Sequence, residues 1–221
     1  MATVRHIPNL LLFLLLSGCS EAPHILSDPE EERPYGAKPI QSRVVSRLKD
    51  MFPADWNNPP RGNNPASNQM RLLARIIGKK RSIEQKVFFT NANTTHTTRT
   101  STSFLDSSGQ YIIGKDWNHD AERKETTRFI LFHEKETNLF RGLSWTRNAL
   151  GEQGPVQMVG RFIPGKPMIE WKGYHKSAGV DTISRLFLTS SENFVWEIER
   201  IREDKPVTLL TNISNLKESW P

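Results

Sequence analysis

Two runs of alternating polar and apolar residues lie in the stretch Val180 to Arg202, VDTISRLFLTSSENFVWEIERIR. In the second run, Phe194, Trp196 and Ile198 fall at every other position, and two glutamates fall at positions of the opposite parity. Successive side chains of a β-strand point to opposite faces, so this pattern predicts a strand with one apolar and one polar face. The polar residues SSEN separate the runs and are typical of a short turn. The stretch therefore predicts a β-hairpin.

The same period of two extends from Arg81 to near the end of the chain. Turn sequences such as Ser107-Ser108-Gly109 and Gly165-Lys166-Pro167 separate the runs, and no helical pattern lies between them. The pattern predicts about ten strands that meander as an antiparallel sheet. A sheet of that size must close into a barrel or stack as a sandwich to hide its edges. The fold class is therefore mainly β.

Two short helices are predicted before the sheet. Between Gln41 and Phe52 the apolar residues follow a helical period and form one face, and Pro53 ends the pattern. The second helix is predicted over Asn68 to Ile77, because an apolar face recurs there and Gly78 provides a stop. The segment between these helices is rich in Pro and Asn and is predicted to be irregular.

A helix ending in Ile76-Ile77-Gly78, followed by a meander with segments such as GRFIPGKPMIEWKGY, resembles the lipocalin-like bacterial β-barrels. This is a calycin-type domain family of largely unknown function, and the similarity spans Met70 to Asn215. The resemblance implies that residues 79–221 form the barrel and residues 41–78 a helical extension. One departure is Gly78-Lys79-Lys80, where such domains commonly carry Gly-x-Trp.

The N-terminus has the order of a secretory signal. The apolar run Leu10 to Leu16 is much shorter than the roughly 20 residues of a membrane-spanning helix, and its length suits a signal peptide. Leu16-Ser17-Gly18-Cys19 resembles the lipobox of bacterial lipoproteins. The resemblance implies that residues 1–18 are removed and that Cys19 carries the lipid anchor. Ser20 in the next position implies sorting to the outer membrane, and residues 19–40 are predicted to be a tether.

Charge and cysteine content limit the partners. The formal charge of +6 falls to +5 when residues 1–18, with their single Arg5, are removed. This mild excess is typical of a solvated basic protein, and we predict no nucleic-acid partner. Cys19 is the only cysteine, so its lipidation leaves no thiol for a disulfide, a metal site or a nucleophile.

No catalytic motif is complete. The segment Gly109 to Asp116 fits a P-loop through its lysine but ends in Asp where Ser or Thr should bind magnesium. No two histidines have metal-ligand spacing on one element. His119 is predicted to lie in a solvated turn. His96 and His133 lie in predicted strands, and either one remains a candidate for the axial ligand of a haem or metal ion. We therefore predict no enzyme activity, metal or cofactor.

The aromatic residues indicate a binding function. Trp145, Trp171 and Trp196 lie in different predicted strands and would either fill a small barrel or line an apolar cavity. If Arg185 shares an inward face with its apolar neighbours, its buried charge needs a partner or an anionic ligand. Arg128 and Arg161 are weaker cases of the same kind.

The expected function is non-catalytic binding of a small apolar or amphipathic molecule by an envelope lipoprotein. The tentative lining residues are Trp145, Trp171, Arg185 and Trp196. The alternative is a structural or protein-interaction module of the envelope with a filled core. A filled interior would favour the alternative, and an open apolar cavity would favour ligand binding.

Overall fold

A computed structural model describes residues 33–77, 80–89, 94–118, 126–148, 151–173, 180–189, 194–202 and 205–218. Side chains are described for residues 33–77, 98–117, 126–147, 151–173, 183–189 and 194–199. The predicted signal peptide and Cys19 lie outside these ranges, as does His119, and so does the side chain of His96.

Two helices precede the strands. Helix α1 spans Ser42–Lys49 and is shorter than predicted, because the chain leaves the helix at Asp50. Helix α2 spans Asn68–Ile77, as predicted, and its start is capped by Ser67, whose Oγ accepts the Met70 N–H at 3.0 Å. In the described residues no helix is long and apolar enough to cross a membrane.

An antiparallel meander follows the helices and confirms that the fold is mainly β. Each strand pairs with the next one along the chain. The strands are β1 (Lys80–Phe89), β2 (Thr94–Leu105), β3 (Tyr111–Asn118), β4 (Thr126–Glu134), β5 (Leu139–Asn148), β6 (Gly151–Phe162), β7 (Met168–Gly173), β8 (Val180–Leu188), β9 (Phe194–Arg202) and β10 (Lys205–Glu218). Strands β2 to β9 form a strongly curled sheet. At its ends, β1 pairs with both β2 and β10, and β10 pairs with β9.

The concave face of the sheet packs against helix α2. Met70, Leu73, Ile76 and Ile77 supply the apolar face of the helix and are buried. They form one cluster with residues from β2 to β9, namely Leu105, Ile112, Leu131, Phe140, Ile169, Trp171, Leu186 and Phe194. Because this single cluster joins strands so far apart in the sheet, the face that carries it is the concave one. The helix thereby fills one end of the concave face.

The convex face is covered by the chain that precedes α2. Leu48 of α1 is buried with Phe104, Ile113, Ile130, Leu143 and Trp145 from β2 to β5. Lys49 and Arg128 both bond to Glu152, which ties α1 to β4 and β6. The apolar face of α1 is therefore explained by burial against the sheet.

Residues 33–40 are not part of a free tether, as the sequence predicts, but lie on the convex face. The side-chain amide of Gln157 accepts a hydrogen bond from the Ile40 N–H at 2.8 Å and donates one to the Ile40 carbonyl at 3.2 Å. Arg141 donates to the Lys38 carbonyl at 2.7 Å. These side chains bond to backbone groups of a segment that is not itself part of a strand. The segment of residues 33–56, called the convex cover below, is thus part of the folded unit.

Candidate ligand-binding site

Two of the predicted lining residues lie together on the concave face. Trp171 is 2% exposed in the cluster below helix α2, and Trp196 packs against the same cluster. The ring of Trp171 lies over Gly160, where an added Cβ would be 2.7 Å from the indole. The Trp196 Nε1–H donates to the Ser184 hydroxyl. Both indoles are thus held in fixed positions by their neighbours.

Trp145 lies on the other face of the sheet. Its ring meets Phe52 of the convex cover edge-on, with the ring centroids 5.3 Å apart, and Trp145 is 2% exposed. On β5 the residues that share the concave face with Phe140 are small, namely Gly142, Ser144 and Thr146. Apart from Phe140, the bulky residues of β5 therefore face the convex cover, and Trp145 is not brought together with Trp171 and Trp196.

Arg185 is also on the convex face, so the expectation that it points inward is wrong. Its Nη1–H donates to Glu199 at 2.8 Å, and its Nε lies 3.5 Å from Glu170. The hydrogen bond to Glu199 is the main reason that the pKa of Arg185 is raised. Strand β8 carries large apolar residues on both faces, which is why its alternation did not show which face is inward. The charge of Arg185 is balanced by these carboxylates.

A row of polar side chains crosses the concave face beyond the C-terminal end of α2. Direct cross-strand neighbours are Ser101 and Asp116, Asp116 and Thr127, and Thr127 and Thr146. Directly paired residues of antiparallel strands point to the same face. We call Ser101, Asp116, Thr127 and Thr146 the polar row. Ser101, Thr127 and Thr146 are each 4–6% exposed, so their hydroxyls are withdrawn from solvent.

The polar row lies above two further rows that become apolar towards the helix. The middle row consists of Ser103, Gly114, Phe129 and Ser144, and the hydroxyl of Ser103 donates to the Ile77 carbonyl at the end of α2. The lowest row consists of Leu105, Ile112, Leu131 and Gly142. The concave face therefore changes from apolar beside the helix to polar beyond its end.

Asp116 is the charged member of the polar row. The residue as a whole is partly buried, but its carboxyl oxygen Oδ1 is fully buried and has no hydrogen-bond partner. Burial raises the pKa of the Asp116 carboxyl above its ordinary value, while a hydrogen bond from Ser101 and the positive charge of Arg99 lower it in part. A buried acceptor without a donor costs free energy. Asp116 Oδ1 is therefore suited to receive a donor from a bound molecule.

Ser144 supplies a second unsatisfied group on the same face. It is 5% exposed, and its Oγ is buried without a hydrogen-bond partner. Ser144 is the direct neighbour of Phe129, whose ring lies over Gly114. An aromatic ring thus lies between the two strands that carry Asp116 and Ser144. A molecule that contacts both polar groups would also contact this ring.

A separate open groove lies at the N-terminal end of α2. It has a volume of about 380 Å³ and is lined by Met70, Tyr111, Phe132 and His133, with Glu134, Lys135 and Glu136 among the polar residues. His133 Nε2 lies 3.0 Å from Asn138 Oδ1. Among the described side chains no group of three or more His, Cys, Asp or Glu could hold a metal ion. His133 is thus placed in a groove wall beside a polar partner.

The polar row was missed in the sequence because its residues come from four strands. In the sequence, Asp116 stands out only as the residue that breaks the P-loop pattern and as a neighbour of His119 near an expected turn, and the threonine-rich part of β2 reads as an exposed strand. The available signal was the recurrence of small polar residues at alternate positions of neighbouring strands. This recurrence indicates a shared polar row only once the register of the strands is known. No protein-family model matches the chain, and no curated protein is significantly similar to it in sequence.

Proposed function

We propose that this protein is a bacterial envelope lipoprotein whose β-domain binds a small amphipathic molecule without chemical change. In this proposal Cys19 carries the lipid anchor and the outer membrane is the location. The polar row and Ser144 bind the polar part of the ligand, and Phe129 and the concave-face indoles Trp171 and Trp196 contact its apolar part. Trp145 and Arg185 have no place in this site, because they lie on the convex face.

The proposal includes a closed, lipocalin-like barrel of ten strands. The ladder between β1 and β10 supports it, since it runs from Lys80 opposite Glu218 to Phe89 opposite Thr208. Pairing of the first and last strands leaves no free edge, which is how antiparallel sheets of this size avoid association. The concave face would then be the barrel interior, and α2 would fill one of its ends.

The observation that carries the proposal is the pair of buried, unpartnered polar atoms on the concave face, Asp116 Oδ1 and Ser144 Oγ. Leaving a buried polar group without a partner costs about 1–3 kcal/mol, and more when the group is charged. A ligand that supplies the missing hydrogen bonds removes this cost and is bound more tightly for that reason. The apolar rows next to these atoms favour a ligand with an apolar part.

Binding can be measured with N-phenyl-1-naphthylamine, a neutral probe that fluoresces strongly in apolar surroundings. The mature chain carrying Cys19→Ser keeps every described residue and avoids the lipid. We expect saturable binding of one probe molecule and energy transfer from tryptophan. Asp116→Leu should weaken the binding at least about ten-fold, because it fills the site and removes the acceptor.

Trp145→Phe is the matched control, because it changes a buried indole on the other face. It should leave the affinity for the probe unchanged. If wild-type protein shows no saturable binding, or if Trp145→Phe weakens it as much as Asp116→Leu does, the binding function is wrong.

The anchor has a test of its own. Mass spectrometry of the N-terminal peptide from membranes of a Gram-negative host should find Cys19 as the first residue, with its mass increased by a diacylglycerol and a fatty acyl chain. The variant Cys19→Ala should lose this modification. An N-terminal peptide that still contains residues 1–18, with an unmodified Cys19, would contradict the anchor and leave the binding function to its own test.

The alternative, an envelope interaction module with a filled core, is supported by one observation. Helix α2 already occupies the apolar end of the concave face, where Leu73 and Ile112 are each 0% exposed. This alternative predicts that the probe does not bind and that a second envelope protein co-purifies with the lipidated chain. The probe experiment therefore separates the two functions directly.

A further inference from the structure

We propose that a patch on the convex face docks on the surface of an anionic lipid bilayer. The patch consists of Phe52, Trp56, Lys115, Trp117 and Arg128 and is called the convex patch below. The proposal goes beyond ligand binding and beyond the lipid anchor, because it assigns the face of the β-domain that contacts lipid head groups. It depends on neither of them.

Three aromatic side chains of the convex patch are only partly buried, namely Phe52, Trp56 and Trp117. The rings of Phe52 and Trp56 lie against each other, with their centroids 6.1 Å apart. Lys115 Nζ lies 5.8 Å from the ring centroid of Trp56 and 5.7 Å from that of Trp117, so the lysine lies beside both indoles. An indole has an apolar body and a polar N–H, and partly exposed indoles therefore suit the head-group region of a bilayer.

Buried rings beneath the convex patch hold its aromatic side chains in place. Trp56 packs edge-on against Phe104, with the centroids 6.3 Å apart, and Phe52 packs edge-on against Trp145. Phe104 and Trp145 are 3% and 2% exposed. Because the outer rings rest on a packed layer, they lose little conformational freedom when they bind a surface.

The cations of the convex patch are not fully balanced by the protein. Lys115 and Arg128 are directly paired across β3 and β4, and like charges in such a pair destabilise a sheet. Glu152 bonds to both Arg128 and Lys49, whereas no carboxylate of the described side chains lies within ion-pair distance of Lys115. A lipid phosphate beside Lys115 and Arg128 would offset the repulsion between them.

The surface around the convex patch has the same character. The convex cover carries five basic and two acidic residues. Arg43 and Arg47 of α1 are exposed, and Val44 is 37% exposed beside them. Apolar side chains among cations are the combination that binds anionic lipid surfaces. A convex surface also fits an extended, deformable partner, whereas a small molecule needs a concave site. Shape, charge and exposed apolar groups thus agree on a bilayer.

Binding is tested with the mature chain carrying Cys19→Ser, which has no lipid of its own. It is floated with vesicles of phosphatidylcholine alone, or of phosphatidylcholine and phosphatidylglycerol in equal amounts. We expect at least about ten-fold stronger binding to the anionic vesicles, and added salt should weaken it. Absence of binding to the anionic vesicles, or equal binding to both kinds, would overturn the proposal. Binding to soluble polyglutamate but not to vesicles would also overturn it and would indicate an acidic macromolecule instead.

Lys115→Gln tests the location of the contact. Each basic residue close to an anionic membrane strengthens binding about five-fold, so this variant should bind the anionic vesicles about five-fold more weakly. Lys172→Gln is the matched control, because it removes the same charge from a lysine whose Nζ lies 5.2 Å from the ring centroid of Tyr35, elsewhere on the convex face. The control should change the affinity by less than about two-fold. Equal weakening by both variants would contradict docking through the convex patch.

Tryptophan quenching by vesicles with brominated acyl chains gives an independent readout that needs no change of charge. All proteins in this experiment carry Trp220→Phe, since Trp220 lies outside the described residues. Quenching should fall strongly in Trp117→Phe and further when Trp56→Phe is added, and it should be unchanged in Trp145→Phe, because Trp145 is buried beneath the patch. Undiminished quenching in the folded Trp117→Phe variant would overturn the proposed orientation.

Discussion

Replacing Gly114 with alanine tests how the concave face is packed. A Cβ added at Gly114 would lie 2.0 Å from Phe129 Cζ and 2.5 Å from each of the two Cε atoms of that ring. Carbon atoms in contact rest about 3.5–4.0 Å apart, so the ring would have to move by about 1.5 Å. Phe129 packs against the cluster that includes helix α2, which limits that movement. The substitution is therefore expected to strain the packing around Phe129 rather than to fill a cavity.

Two opposing terms set the size of the effect. Overpacking of a core costs about 1–3 kcal/mol. Replacing glycine by alanine in a compatible backbone stabilises the folded state by about 0.4–1 kcal/mol, because the unfolded chain loses conformational freedom. The expected net loss in the free energy of unfolding for Gly114→Ala is about 1–2 kcal/mol.

Gly142→Ala is the matched control on the neighbouring part of the concave face. Its added Cβ would lie 3.2 Å from Leu131 Cδ2 and 3.3 Å from Met158 Cε, which are the ends of flexible side chains. The free energy of unfolding should change by less than about 0.5 kcal/mol. Urea unfolding followed by tryptophan fluorescence measures both variants.

A double-mutant cycle isolates the contact itself. Phe129→Leu removes the ring atoms that meet the new Cβ, so Gly114→Ala should cost at least about 1 kcal/mol less in that background than in the wild type. Additive effects of the two substitutions, or a Gly114→Ala variant as stable as Gly142→Ala, would refute the packing of Phe129 over Gly114.

Two further predictions concern Asp116 and the convex cover. Because burial raises the pKa of Asp116, its ionised form opposes folding at high pH; Asp116→Asn should be more stable than wild type at pH 8, and the difference should shrink as the pH falls through the raised folded-state pKa. Urea unfolding across the pH range checks this, and a difference that grows towards acid would contradict it. Gln157→Leu removes both hydrogen bonds to the Ile40 backbone and should cost about 1–3 kcal/mol in total. Hydrogen exchange should then be faster in residues 40–49, and unchanged exchange there would contradict the role of Gln157.

The sequence by itself determined the type of the elements and their periodicity, but not every boundary. The alternation in the hairpin from Val180 to Arg202 predicted β8 and β9, and the apolar face of Asn68–Ile77 predicted α2 with its correct bounds. Both signals are local, because a period of two or of 3.6 residues is set by the backbone geometry of one element. The predicted end of α1 at Phe52 was wrong for the same reason. The apolar residues continue the helical pattern past Lys49, although the helix ends there.

Only the tertiary structure decided which face of each strand is concave. Alternation distinguishes two faces but does not name the inner one, and polarity fails as a guide when both faces are covered. Here α2 covers one face and the convex cover the other, so Trp145 is as deeply buried as Trp171 although they lie on opposite sides. The polar row depends in the same way on the register of four strands, which no single strand encodes. Its hydroxyls and the Asp116 carboxyl become a site only when long-range pairing places them side by side, away from water.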